Sequence, residues 1–337
     1  MISDKQDYFA RNNDGALDES DERAFKKLIP STKSLHLYTS DGVSVSLENF
    51  YRGSHVFLVC SGPSIKSLDL SLLSRRGIVT MAINNAWSII RPNLWVCVDD
   101  PGNFLDIGWK DPSIIKFAPL GHLHKNLQVK ESNGTFRPSQ FKVADMPSVY
   151  YFRRNEKFEV GNFLCQNTVN WGNRDSDTDD LGNKGGRSVM LAAIRLLYYL
   201  GFRRIYLLGA DFKMEIGKQN YVFAQDRSSS SVKGNNNTYR ALNSRFEAMK
   251  PIFEQNDLQI FNCNNQSGLT AFPFIHYQQA IDVASGRFQK EMDTEGWYDR
   301  KERERKAKED AEKREGLKIV NGIDFGEEVE DAEDAET

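Results

Sequence analysis

The chain has 337 residues, 39% of them hydrophobic and 27% charged. This composition can supply a sizeable core and excludes a wholly disordered chain, a collagen and a coiled-coil rod. No window approaches the roughly 18 uncharged apolar residues of a membrane span, and the polar N-terminus lacks the apolar region of a secretory signal. The four scattered cysteines have no CxxC spacing, which indicates reduced thiols, and these features together predict a cytoplasmic protein.

Charge is unevenly distributed along the chain. The formal net charge is −3, but the part from residue 286 onward carries 11 basic and 18 acidic residues, whereas residues 1–285 carry 33 and 29. The first part is therefore mildly basic, which is compatible with nucleotide phosphates or nucleic acid as partners and demonstrates neither.

Strand signals follow a polar N-terminal arm. Residues 33–49 predict a β-hairpin around a Ser-Asp-Gly turn. Three apolar runs then predict strands that are buried on both faces of a parallel sheet: residues 55–60, 78–83 and 93–98. Each run ends in small, polar or acidic residues, which is the pattern of an open α/β sheet with its ligand site at the carboxyl ends of the strands.

The second half of the chain continues this pattern. A Gly-Gly-Arg-Ser turn precedes a predicted helix over residues 189–200, and a strand over 204–208 ends at Gly209-Ala210-Asp211. Residues 226–238 are rich in serine and asparagine and predict a mobile loop, followed by a helix over 239–256 and a short strand over 259–262.

The composition divides the chain into three parts. Residues 1–45 are predicted to form an arm and a hairpin, residues 46–285 an α/β domain that binds a nucleotide, and residues 286–337 a charged tail, partly helical and partly disordered.

Two turns are candidates for phosphate binding. Glycine after a buried strand lets backbone amides approach an anion, so Ser61-Gly62-Pro63-Ser64 is either a phosphate cradle or a plain tight turn. In the second turn, Arg187 beside Ser188 can pair bidentately with a phosphate or carboxylate, or can be an exposed residue at a helix cap.

Three aspartates end predicted strands: Asp99, Asp100 and Asp211. Carboxylates there can hold Mg²⁺ or Mn²⁺, or act as a general base, although strand-end aspartates are usually turn formers. We take Asp99 and Asp100 as the metal candidates, and Asp100 and Asp211 with Arg187 as catalytic candidates.

Five segments carry a family resemblance: VCSGPSIKSLDLSLL, INNAW, LGFRRIYLLGADF, NYVF and FNCNNQSGLTAFP. In this order they resemble the bacterial sialyltransferases that cap lipooligosaccharide, and the related hydroxymethylpterin pyrophosphokinase-like family, which includes phage proteins. The likeness covers roughly residues 53–275. It implies a Rossmann-like α/β fold of glycosyltransferase A type, with a mostly parallel sheet and helices on both faces, extended here by the charged helical tail.

The resemblance implies positions that surround a donor nucleotide: Ser61, Gly62, Ser64, Asn84, Gly209, Asp211, Asn264, Asn265 and Ser267, with Tyr221 as a catalytic tyrosine. Two more residues join the nucleotide-binding set: Asn85, which follows Asn84, and Ser188, which follows Arg187 in the second turn. The chain departs from the family pattern at Ser61, which replaces an asparagine, and at Lys213, which replaces a tyrosine. No histidine lies in residues 234–239, where the family has its catalytic base.

Several functions fit these features. The first is a glycosyltransferase that uses a nucleotide-sugar donor, with or without Mg²⁺ or Mn²⁺, and a glycan or a hydroxylated base of phage DNA as acceptor. Three observations keep the DNA acceptor open beside the glycan: the missing secretory signal, the mildly basic first part of the chain, and residues 150–154, which mix aromatics with arginine. The alternatives are an ATP-dependent pyrophosphokinase and a non-catalytic nucleotide-binding protein. Assembly into a homo-oligomer is left open.

Overall fold

The computed structural model describes residues 35–155, 157–173, 178, 182, 186–286 and 299–320, of which residues 155 and 315–320 are described by their backbone alone. The chain divides into two units, residues 1–289 and 290–337. The predicted N-terminal arm up to residue 34, and the acidic end from residue 321, lie outside the described residues.

The described part of the first unit contains thirteen strands. In chain order they are β1 Leu37–Tyr38, β2 Ser44–Val45, β3 His55–Val59, β4 Val79–Ile83, β5 Leu94–Val96, β6 Ile115–Pro119, β7 Asn126–Lys130, β8 Phe136–Lys142, β9 Val149–Phe152, β10 Arg154–Asn155, β11 Val169–Asn170, β12 Arg204–Leu208 and β13 Gln259–Asn262. Nine of them form one sheet in the order β13-β12-β3-β4-β5-β6-β9-β1-β2. Its first seven strands are parallel, and the hairpin β1–β2 joins the edge through an antiparallel pairing of β1 with β9.

Five α-helices accompany these strands in the described residues: α1 Asp106–Lys110, α2 Val189–Tyr199, α3 Ser229–Gln255, α4 Tyr277–Ser285 and α5 Arg300–Val320. The last of them belongs to the second unit and contains the charged segment for which the sequence predicts a helix. None of the described helices is both long enough and apolar enough to cross a membrane.

Both faces of the sheet are covered, as expected for apolar strands in a parallel sheet. Along β3, Val56 and Leu58 pack into one core cluster together with apolar residues of α2 and α3. Phe57 and Val59, which alternate with them, pack into a second cluster together with residues of α4. The fold is therefore α/β, with a mostly parallel sheet between two helical layers, and the predicted fold class is confirmed.

The chain changes direction across the sheet beside β3. From β3 it moves outward through β4, β5, β6 and β9, and then returns to place β12 and β13 on the other side of β3. Open α/β sheets bind their ligands at such a switch point, outside the carboxyl ends of the strands. The fold thus places the turns that follow β3 and β12 where a ligand site is expected.

Two sequence predictions are wrong. Residues 229–238 are not a mobile loop, because α3 begins at Ser229. Serine and asparagine have low helix propensity, but tertiary contacts override it: Val232 is buried, and the side chain of Asn236 makes two hydrogen bonds of 2.9 Å with the backbone of Met214.

The second wrong prediction concerns residues 150–154 as a stacking surface for nucleic acid. This segment belongs largely to β9, where Tyr151 and Phe152 are fully buried in the two core clusters. Buried rings cannot stack on bases, so the structure removes one of the three observations that kept DNA open as the acceptor.

A substitution of Arg245 in α3 would measure how much a buried polar side chain stabilises the first unit. Its side chain is fully buried against the Phe158 ring and donates hydrogen bonds to the Gly186 carbonyl at 2.7 Å and to Asn173 Oδ1 at 3.0 Å. Arg245→Leu would leave both acceptors without this donor, so we expect a loss of about 3 kcal/mol, or roughly 6–12 °C in Tm.

The control for this prediction is Arg240→Leu, on an exposed part of the same helix. It should change the Tm measured by circular dichroism by less than about 2 °C. Equal effects of the two substitutions would contradict the assigned role of Arg245.

Candidate functional site

A polar cleft lies at the switch point, on the side of the sheet that α2 and α3 cover. It has a volume of about 280 Å³, and we call it the first cleft. Its polar lining residues come from the ends of β3, β4, β5 and β12, from the start of α2, from the segment between β12 and α3, and from α3 itself: Ser61, Asn84, Asp99, Arg187, Ser188, Asp211, Lys213, Asn220, Tyr221, Asn235, Thr238 and Tyr239.

Asp211 joins the turns after β3, β12 and β13. Its Oδ2 accepts the backbone amide of Ser64 at 3.0 Å, and its Oδ1 accepts the Ser64 hydroxyl and the Asn264 side-chain amide, the latter at 2.9 Å. The residue is only 8% exposed. Because three donors already point at this buried carboxylate, the contacts give Asp211 a positioning role and do not favour the predicted role as general base.

The lack of a side chain at Gly62 allows the turns after β3 and β12 to pack closely together. Its amide donates to the Gly209 carbonyl at 2.9 Å. A Cβ atom at Gly62 would lie 2.4 Å from that carbonyl oxygen and 2.6 Å from Asp211 Cγ. The amides of Gly62 and Ser64 therefore both donate to protein acceptors, which favours the plain tight turn over the phosphate cradle. Ser61 still lines the first cleft.

Asp99 is the carboxylate that enters the first cleft from β5. Asn84 Nδ2 donates to Asp99 Oδ2 at 2.7 Å. Asn84 has a φ of 44°, and its carbonyl accepts the Trp95 indole at 2.8 Å, which fixes the turn. Asp99 keeps contact with solvent, but desolvation of its carboxyl in the cleft raises its pKa, and the guanidinium groups of Arg154 and Arg187 oppose this rise. A carboxyl with a raised pKa in a cleft is a candidate for proton transfer.

The neighbouring Asp100 does not line the first cleft. It forms an ion pair of 2.5 Å with Lys125 and accepts the Gly102 amide at 2.9 Å. Burial alone would raise the pKa of Asp100, but these two partners outweigh it and lower the pKa. The catalytic role predicted for Asp100 therefore has no support in the geometry.

The positions of Asp99 and Asp100 do not fit the predicted binding of a divalent metal ion. Asp99 faces the cleft while the carboxylate of Asp100 is held by Lys125, so the two do not form a joint ligand pair. Across the residues that the structure describes, no three His, Cys, Asp or Glu side chains are grouped to hold a metal ion.

Two arginines flank an indole beside Asp99. The guanidinium carbons of Arg154 and Arg187 lie 4.4 and 4.9 Å from the centre of the Trp171 ring. Such contacts hold the planar cations in place. Arg187 is exposed, lines the first cleft and directly precedes Ser188, whose hydroxyl caps α2 by accepting the Met190 amide. Arg187, Lys213 and the start of α2 together make this side of the cleft positive.

Aromatic side chains also line the first cleft. Tyr221 stacks on Phe223 with a ring separation of 5.5 Å, and its hydroxyl accepts a hydrogen bond from Arg227 at 3.2 Å. Tyr239 stacks on Phe212 at 4.9 Å, and burial raises its pKa. The sequence did not single out Trp171 or Tyr239, because an aromatic residue inside an apolar or helical pattern carries no signal of its own.

The predicted nucleotide-binding residues fall into three groups. Five line the first cleft: Ser61, Gly62, Asn84, Ser188 and Gly209. Ser64, Asn264 and Asn265 line a separate cavity, described below, which Gly209 also borders. Asn85 and Ser267 line neither cavity, and the Ser267 hydroxyl supports the turn by donating to the Ala210 carbonyl at 2.5 Å.

Comparison with known proteins gives one distant likeness. No family model and no curated protein matches the sequence. A solved structure of a variant of the sialyltransferase CST-II in complex with CMP is similar, with 14% sequence identity and a TM-score of 0.32, over 66% of this chain and 86% of that one. A likeness of this degree carries no argument about function, which has to rest on the cleft itself.

The contact between Gly62 and Asp211 can be tested by adding one methyl group. Gly62→Ala would force the Cβ atom into the Gly209 carbonyl and the Asp211 carboxylate. We expect a loss of about 1–3 kcal/mol, or roughly 3–10 °C in Tm. Gly161→Ala is the matched control, because no atom lies within 4 Å of its added Cβ. A stable Gly62→Ala variant would disprove the close approach.

The electrostatic environment of Asp99 predicts in which direction its pKa changes when a neighbouring charge is removed. Removing the positive charge in Arg154→Gln should raise the pKa of Asp99 further, because an opposing charge no longer stabilises the carboxylate. The ¹³Cγ shift of Asp99, followed by NMR against pH, measures this. Arg153→Gln, whose charge acts on Tyr38, should leave the Asp99 titration unchanged, and an unmoved Asp99 in Arg154→Gln would contradict the assignment.

Proposed function

We propose that the chain is a glycosyltransferase that moves a sugar from a nucleotide-sugar donor to an acceptor hydroxyl, with the donor bound in the first cleft. The observation that carries the proposal is the charge arrangement at the switch point. One carboxylate with a raised pKa, Asp99, shares the cleft with the cations Arg187 and Lys213. Transfer of a sugar away from a phosphate needs both a proton acceptor and positive charge on the leaving group.

The residues of the cleft suit the two parts of the donor. The exposed Arg187 and the side chain of Lys213 offer positive groups for a phosphate, and the N-terminus of α2 adds the positive end of its dipole. The stacked rings of Tyr239 and Phe212 offer an apolar surface for a base or ribose. The volume of about 280 Å³ is close to the lower end of the range for ligand pockets.

In the proposed reaction the acceptor oxygen forms a bond to the anomeric carbon, while the bond from that carbon to the phosphate oxygen breaks. The hydroxyl proton moves to the Asp99 carboxylate, and the electron pair of the broken bond stays on the nucleotide. Arg187, Lys213 and the Tyr221 hydroxyl stabilise the charge on the departing phosphate. A raised pKa brings Asp99 closer to the value that suits a general base near neutral pH.

This mechanism uses no metal ligand of the protein. The pyrophosphokinase alternative requires divalent cations that neutralise the ATP phosphates. Of the two carboxylates predicted to hold such a cation, Asp100 is paired with Lys125 and does not line the first cleft, so the geometry gives that alternative no support. A non-catalytic nucleotide-binding protein would share the first cleft but would not turn the donor over.

The test compares two neighbouring aspartates. Asp99→Asn should lower kcat by about 10²–10⁴-fold and keep nucleotide affinity, because it removes the proton acceptor and keeps the shape. Asp100→Asn, outside the cleft, should keep turnover within about threefold. Turnover is followed as hydrolysis of CMP-, UDP- and GDP-sugars, in which water replaces the acceptor, and binding is followed by thermal shift and calorimetry.

Each outcome separates the alternatives. Full turnover of Asp99→Asn would overturn the role of Asp99. Binding of nucleotides without any turnover by the native chain would support the non-catalytic alternative. Loss of turnover on addition of EDTA would contradict the metal-independent mechanism.

A further inference from the structure

A second cleft lies on the other side of the Asp211 contact. It has a volume of about 370 Å³, and its lining residues come from the turn after β3, the ends of β12 and β13, and the start of α4: Ser64, Ser67, Leu68, Gly209, Cys263, Asn264, Asn265, Phe274, His276, Tyr277 and Gln278. Cys263 and Tyr277 pack against the core cluster that contains α4, whereas Cys60 and Ala210 of the first cleft pack in the cluster that contains α2 and α3. The two clefts therefore open on opposite faces of the sheet.

The second cleft carries no formal charge. None of its lining residues is Asp, Glu, Lys or Arg, whereas the first cleft contains two carboxylates, Arg187 and Lys213. A phosphate or carboxylate entering the second cleft would lose water without gaining an ion pair. The lining therefore selects against nucleotides and nucleic-acid backbones, and favours an uncharged ligand.

An exposed aromatic ring stands at this cleft. Phe274 is 42% exposed and makes an edge contact with the His276 ring at 4.8 Å. The segment that carries it is fixed to the end of β13 by two backbone hydrogen bonds: Asn262 donates to Pro273 at 2.9 Å, and Ile275 donates to Asn262 at 3.1 Å. The ring thus has an anchored backbone, and such a ring offers a flat apolar surface at low cost in conformational entropy.

Two polar side chains that line the same cleft have no hydrogen-bond partner among the described residues. Within the described part of the chain, the side chains of Asn265 and His276 make no hydrogen bond, while Tyr277 is already fixed by donating to the Asp69 carbonyl at 3.0 Å. An amide offers two donors and an acceptor, and a neutral imidazole offers one of each. Groups that both donate and accept suit hydroxyls, which also do both.

We propose that the second cleft binds an uncharged carbohydrate. The apolar C–H face of a pyranose ring lies on Phe274, and the hydroxyls of the sugar bond to Asn265 and His276. This binding is independent of the reaction proposed above, whose proton acceptor, Asp99, lines the first cleft and not the second. Gly209 borders both clefts, and the hydrogen bonds from Ser64 and Asn264 to Asp211 form the partition between them.

The test measures binding of neutral sugars directly. Methyl glycosides of glucose, galactose and N-acetylglucosamine, together with lactose, are titrated against the full chain by saturation-transfer NMR. Phe274→Ala and Asn265→Ala should each weaken the affinity by roughly two- to tenfold. Phe136→Ala is the matched control, because Phe136 is also exposed, at 59%, and lines neither cleft. Circular dichroism of each variant confirms that it is folded, as expected for substitutions of exposed residues.

The outcomes separate this inference from the proposed function. Sugar binding that is lost in Phe274→Ala supports the inference, even if no nucleotide binds the chain. Nucleotide binding without binding of any sugar overturns the inference and leaves the proposed function standing. Sugar binding that Phe274→Ala does not weaken, or binding of free cytidine or adenosine in place of every sugar, also overturns it.

Discussion

The buried carboxylate of Asp211 holds the functional edge of this protein together. Three strands, β3, β12 and β13, end side by side, and the turns that follow them have to approach closely. The approach is possible because position 62 has no side chain, and it is fixed because Asp211 accepts donors from Ser64 and Asn264. A buried carboxylate left without donors would be costly, so the turns and the carboxylate stabilise one another.

This contact divides the ligand edge into two chambers of different chemistry. On the face of α2 and α3 the lining is charged, with Asp99 held by Asn84 and with two arginines placed on the faces of Trp171. On the face of α4 the lining is uncharged and carries an exposed aromatic ring. The two chambers therefore suit ligands of different charge.

The two adjacent aspartates after β5 show how local geometry separates identical side chains. Asp99 turns into the first cleft, where desolvation raises its pKa. Asp100 turns toward Lys125 and the Gly102 amide, which lower its pKa. Successive residues at the end of a strand point in different directions, so a shared position in the sequence does not give a shared role.

The sequence by itself determined the fold class and the edge that carries the site. Apolar runs of five or six residues that end in polar turns specify a parallel sheet, because only buried strands tolerate uninterrupted apolar residues. The polar turns then necessarily lie at one edge of that sheet, near the switch point. Arg187 was found from its glycine-rich turn, whereas the family resemblance implied Ser61, Asn84 and Gly209, and all four line the first cleft.

Only the tertiary structure decided what each of these residues does. The partners of Asp211 lie 147 and 53 positions away in the chain, and no local pattern encodes such contacts. For the same reason the sequence could not show that Gly62 packs against Asp211, that Asp100 pairs with Lys125, or that the start of α3 is a helix. The sequence also could not show which face of the sheet each polar turn borders, because this depends on which helix covers that face.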